Sequence, residues 1–314
     1  MSDGSEHGFR ELLTSLARGE SMEIAHFLTE HLEAKVIHGT HTSVRTHYVS
    51  SDANGAPAIE LLSRAMAAAA IDYCIPRHRI SEAMEHLVRT GSTSKFARLE
   101  SQARELFVDA DGSGEGGELL LFLLMERILR LPQIMTKMSL KTSSNVHFHG
   151  SDGVHARLSE DGVLDLFWGE SKLHKTPSGA IMECFASVAP FLRADGAERR
   201  RDLLLLRDQL NVEQQSLAIH LLDYFDESHP SAVDVRWNAV CLIGFDYKNY
   251  PNSRALTEAH KTELEKAIER WQRLVGRRLA DNDLAAISID VYCVPFPSVD
   301  AFRKSVRAAL GVKG

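Results

Sequence analysis

The chain has 314 residues, 44% hydrophobic and 25% charged, the make-up of a globular protein with room for one large domain or two modest ones. Its most apolar run, Leu119 to Met125, is far shorter than the about 20 residues of a bilayer span, and its opening, MSDGSEHGFRELL, lacks the basic start and apolar core of a signal peptide, so no membrane role and a cytoplasmic place are expected. A net charge of −7 excludes a chain that grips nucleic acid by overall positive charge.

The first hundred residues read as mostly helical. Helices are predicted over Glu6 to Glu33, over Ala58 to Ala70 and, with interruptions, over Ser81 to Phe107. Between the first two, Lys35 to Ser50 is rich in Val, Thr, His and Tyr and predicts one or two strands. The Gly/Asp/Ser-rich break Asp109 to Gly117 then suggests a boundary: a helical region over 1–110 and a second domain over 111–314. That break also begins like a calcium loop of the EF-hand type. The closing bidentate acid would fall at residue 120, which is Leu, so a hinge is the better reading.

An apolar helix, Glu118 to Leu131, follows and is stopped by Pro132. Strands are predicted over Asn145 to His149, Gly153 to Leu158 and Val163 to His174. Ser159-Glu-Asp-Gly162 marks a turn joining the last two as a hairpin. Helices follow over Ser178 to Leu192, Ala197 to Leu210 and Val212 to Phe225, then a strand over Arg236 to Phe245. The chain closes with a helix (Ser253 to Leu279), a strand (Ala286 to Val294) and a helix from Ser298. This order predicts an α/β (α+β) fold with a mixed sheet flanked by helices.

Four cysteines lie far apart in apolar segments without a C-x-x-C pair, which points to buried free thiols. The arginine clusters at 199–201 and 270–278, and the basic group Arg303, Lys304 and Arg307, lie in helical segments and read equally well as solvated faces. No G-x-S-x-G elbow or phosphate-cradling G-K-[ST] loop is present.

The chemistry concentrates between Asp152 and Lys172. A chain reversal near residue 161 places Asp152 opposite Glu170 across the hairpin. Glu170 and Lys172, two residues apart, share one strand face. The apolar flanks Leu166-Phe-Trp168 and Leu173 bury that strand, where charge is costly unless paired or bound to metal. Two carboxylates would hold Mg²⁺, with Mn²⁺ as a substitute, and Lys172 would serve the attacking water or the developing charge. Glu118, at the start of the apolar helix, is the expected third carboxylate and metal ligand, preferred over Glu115. A competing reading is a metal hydrolase built on His147 and His149 near Asp152. Another is a non-catalytic adaptor with a vestigial nuclease fold.

Helix with Glu, strand with Asp, strand with Glu-x-Lys, helix, strand resembles the core of PD-(D/E)xK nucleases. In detail, Gly117-Glu118, Lys137 and Lys141 in Met-Thr-Lys-Met-Ser-Leu-Lys, Gly150-Ser-Asp-Gly-Val-His155 and Gly169-Glu-Ser-Lys-Leu173 resemble the nuclease subunits of Hachiman anti-phage systems, the HamA family. Ser151 stands where the nuclease pattern has proline, which leaves the metal ligand intact. The resemblance is specific over about residues 110–245. It implies a bacterial defence enzyme that cuts DNA with Glu118, Asp152, Glu170 and Lys172 and works with a HamB-like helicase subunit. The N-terminal helical region and the late helices are then the expected partner surface.

Overall fold

The computed structural model describes residues 3–107, 114–135, 138, 152–193, 203–204, 206–251 and 257–312. The predicted strand at 145–149 lies outside these residues, as do His147, His149, Lys137 and Lys141. The helix expected over 197–210 falls only partly within them.

The fold is mixed α/β, built on an eight-stranded sheet in the order β1-β3-β8-β7-β6-β5-β4, with β2 also pairing β3. The strands are β1 (Leu28–Glu30), β2 (Lys35–Val36), β3 (Thr42–Val49), β4 (Gln133–Met135), β5 (Gly153–Leu158), β6 (Leu164–His174), β7 (Val235–Asp246) and β8 (Ser288–Phe296). The centre, β3-β8-β7-β6, is parallel, and β5 and β4 continue it antiparallel. Residues before 110 thus supply three strands of the same sheet that carries β6.

Eleven helices flank it among the described residues. They are α1 (Asp3–Ser15), α2 (Met22–Ala25), α3 (Ile59–Ala68), α4 (Ala70–Cys74), α5 (Arg77–Thr90), α6 (Ser94–Glu105), α7 (Glu115–Leu123), α8 (Pro177–Leu192), α9 (Gln215–Phe225), α10 (Glu258–Asp281) and α11 (Val299–Leu310). None is long and apolar enough to cross a membrane.

Period-2 alternation divides the core in two. Leu164, Leu166 and Trp168 of β6 pack with α1, α8, α9 and α10 on one face. Phe167 and Leu173 pack with α3, α4, α6, α7 and α11 on the other. Each large side chain buried this way contributes roughly 1.5–3 kcal/mol. All four cysteines are buried free thiols.

Two predicted helices differ from the structure. The helix expected over Glu6 to Glu33 stops at Ser15, because Gly19 sits at φ +72° and turns the chain. Residues 28–30 then pair with β3, Leu28 opposite Val49, so tertiary pairing overrides local helical pattern there. The apolar helix after the break starts earlier, at Glu115, and leaves α geometry at Leu123 for a π-turn over Leu124–Ile128. That turn carries Glu126 into the interior, where it is fully buried.

Glu126 is a heavily bonded buried acid. It accepts from the Arg18 backbone N at 2.6 Å, Arg18 Nη2 at 2.9 Å and the Gln133 backbone N at 2.9 Å, with Arg77 Nη2 at 3.5 Å. Burial pushes its proton affinity up, but Arg18 and the other neighbouring positive groups outweigh this and hold it below the usual range. Residues from the first turn region, α5, the π-turn and β4 are thereby tied to one carboxylate.

Candidate active site

The site begins with the hairpin. β5 and β6 pair with Leu158 opposite Leu164 and Gly153 opposite Gly169. The turn is closed by Ser159 N donating to Val163 O at 2.9 Å, and Gly162 adopts φ +78°, which a side chain would resist. This register sets Asp152, just before β5, beside Glu170.

Asp152 lies at the open edge of β6 and is buried. Its N–H donates to Gly169 O at 2.8 Å. Its Oδ2 accepts from both Ser171 N and Ser171 Oγ, each at 2.8 Å. The carboxylate therefore takes the strand-edge N–H of Ser171 and is fixed at two points.

Glu170 projects toward α8 and is only 3% exposed. Lys172 Nζ donates to its Oε1, Ser187 on α8 hydrogen-bonds it, and Cys184 Sγ lies 3.8 Å from its backbone O. Burial above all, then the neighbouring Asp152 charge, pushes the Glu170 carboxyl up to about 7, against the pull of Lys172 and Ser187. For Lys172 burial acts downward, but the Glu170 carboxylate beside it prevails and raises the ammonium above its ordinary value. Lys172 keeps 30% of its side chain exposed, so the pair opens to solvent at the lysine end. Just beyond it, Arg303 Nη2 donates to Leu173 O at 2.9 Å and anchors the strand.

Glu118 arrives from α7 on the other face of the sheet. The adjacent Gly117 lies tightly on β6: a Cβ there would stand 3.1 Å from Leu173 Cγ and 3.2 Å from Ser171 Oγ. Ser171 and Leu173 alternate with Glu170 and Lys172, so α7 and the Glu-Lys pair are on opposite sides. Glu118 Oε2 accepts from Tyr73 Oη at 3.0 Å. Tyr73 is fully buried, and burial, Glu118 and Asp152 together raise its phenol well above its ordinary value, so it remains a donor.

Of the four expected residues, Asp152, Glu170 and Lys172 converge. Glu118 approaches from the Ser171 side, where the Asp152 carboxylate is fixed. Among the described residues no three His, Cys, Asp or Glu side chains gather as a cage for an ion. The donor set nevertheless suits Mg²⁺, which binds through one or two carboxylates and keeps several waters. A nearly buried carboxylate with raised proton affinity beside a second carboxylate is a place where a hard cation relieves repulsion.

His155 belongs to the core. It is buried, its Nδ1 is 2.7 Å from Leu131 O, and burial depresses its ring to about 4. Three site residues escaped the sequence reading: Ser171, Ser187 and Tyr73. Ser171 carried a usable signal, since the middle residue of Glu-x-Lys must face away from both and is polar inside an apolar strand. Ser187 and Tyr73 reach the site only through tertiary packing.

Compared with known families, the chain matches the family model described as HamA over residues 25–310. No curated protein matches it.

Proposed function

The chain belongs to the HamA family and is thus a component of Hachiman anti-phage defence, and from that premise we propose that it is a Mg²⁺-dependent nuclease that hydrolyses DNA phosphodiester bonds. The observation that carries this reading is the convergence of Asp152, Glu170 and Lys172 at the end of the β5–β6 hairpin. Asp152 and Glu170 would hold Mg²⁺, with Mn²⁺ as substitute and Glu118 contributing from α7. Held there, such an ion would supply positive charge at the scissile phosphate and acidify a water.

The chain's own groups have distinct tasks. Ser171, through its N–H and Oγ, orients Asp152. Ser187 and Lys172 orient Glu170. The Lys172 ammonium, paired with Glu170, would stabilise at Nζ the charge developing on the phosphate. The arrangement lies on rigid strands, which lowers the cost of reorganising during reaction.

A net charge of −7 supports a division of labour in which a helicase subunit delivers and holds the DNA. The partner surface proposed for it includes α5, where Met84 and Val88 are 51% and 81% exposed. The same division argues for an enzyme that works in the bacterial cytoplasm, beside the DNA it meets.

The decisive experiment measures Mg²⁺-dependent cleavage of DNA by the chain, alone and with the helicase and ATP. Glu170→Ala and Lys172→Ala are expected to lose at least about 100-fold in rate. Cleavage by both variants at the parent rate would sink the proposal.

A further inference from the structure

Tyr73 joins the N-terminal helices to the candidate site. It sits on α4 with no exposed surface, its ring centroid 5.3 Å from that of Phe122 and 6.3 Å from that of Phe107. A phenylalanine would fill that space equally well. The hydroxyl is the part that packing does not require, and it is aimed at Glu118, 3.0 Å from Oε2.

We propose that Tyr73 is a positioning residue whose hydroxyl fixes the Glu118 carboxylate on the side of β6 where Ser171 fixes Asp152. Two hydroxyl donors then aim two carboxylates: Ser171 Oγ holds Asp152 and Tyr73 Oη holds Glu118. Gly117 lies close to the first of these donors, since a Cβ added to it would stand 3.2 Å from Ser171 Oγ, and the next residue is Glu118. Glu118 is the least buried of the three acids, so it gains most from an external restraint. Donors that orient a ligating carboxylate typically change metal affinity or activity 10–100-fold. The inference rests on the proposed role of Glu118 in holding Mg²⁺.

The test compares the parent with Tyr73→Phe, Glu118→Gln and the double variant in the full chain. The first readout is the rise in melting temperature during Mg²⁺ titration, which reports binding without catalysis. The second is the rate of DNA cleavage with the helicase present. Tyr73→Phe should melt like the parent without Mg²⁺, yet need about tenfold more Mg²⁺ for half of the shift. Adding it to Glu118→Gln should change nothing further, because the hydroxyl acts only through that carboxylate. An unchanged Mg²⁺ titration for Tyr73→Phe beside an impaired Glu118→Gln overturns the inference alone. So do additive effects in the double variant. If Glu118→Gln binds Mg²⁺ and cuts like the parent, the place of Glu118 in the proposed function falls, and the role of Tyr73 with it.

Discussion

Glu170 makes an unusual prediction: neutralising it should strengthen the fold while abolishing the chemistry. Its carboxyl rises from an ordinary 4.5 to about 7 in the folded protein. Between those values the folded state binds the proton and the unfolded state does not, so stability falls as pH rises through that window. The gap, at about 1.4 kcal/mol per pH unit, amounts to about 3 kcal/mol lost by pH 8. Glu170→Gln removes that ionisation. It should match the parent near pH 4 and exceed it by about 3 kcal/mol at pH 8, or about 5 °C in Tm for a chain of this length. The attraction of Lys172 is already contained in the raised value, and the lysine, 30% exposed, retains access to water. Urea unfolding of both proteins in parallel from pH 4 to 8 measures the difference directly. Added Mg²⁺ should narrow it at pH 8, since the parent alone gains a ligand there. Equal stability at every pH, or a parent more stable at pH 8, refutes the electrostatic account of the site.

Two further substitutions test neighbouring parts of the argument. Ser171→Ala keeps the N–H that holds Asp152 but removes the Oγ hydrogen bond, and should cut activity about tenfold while Tm changes little; an undiminished rate would remove Ser171 from the site. Glu126→Ala leaves Arg18 and Arg77 facing an emptied buried position and should cost about 3–5 kcal/mol in urea unfolding. A loss below about 1 kcal/mol would mean that the network is not a structural tie.

The sequence carried the hairpin because its signals are local. Ser159 to Gly162 dictates a reversal, the reversal dictates the register, and strand alternation then puts Glu170 and Lys172 on one face. It misjudged residues 28–30, whose strand character comes from pairing with β3 some twenty residues away. The side of the sheet from which Glu118 arrives was equally beyond local pattern. An apolar helix of the composition of α7 packs on either face, and only the fit of Gly117 against Ser171 and Leu173 selects one. Tyr73 is further still from legibility, for nothing in Ala70–Cys74 distinguishes its hydroxyl from that of any buried tyrosine.

How the first hundred residues are to be probed follows from the sheet. β3 runs parallel to β8, with Val44 opposite Val291 and Thr46 opposite Cys293, and Arg18 and Arg77 close around Glu126. Deleting residues 1–105 would strip the sheet beyond β8 and leave Glu126 without its arginines, so loss of partner binding after such a deletion would say nothing about a contact surface. Charged substitutions at exposed apolar positions avoid this. Met84 and Val88 on α5 present their side chains to solvent, and changing them leaves the sheet and the Glu126 network intact. A helicase that still binds a Met84→Glu, Val88→Glu chain does not use α5, whatever a deletion does. The same region that would meet the partner also holds Tyr73 against Glu118, which gives partner binding a short physical route to the site: α5 follows α4 directly, through Ile75 and Pro76.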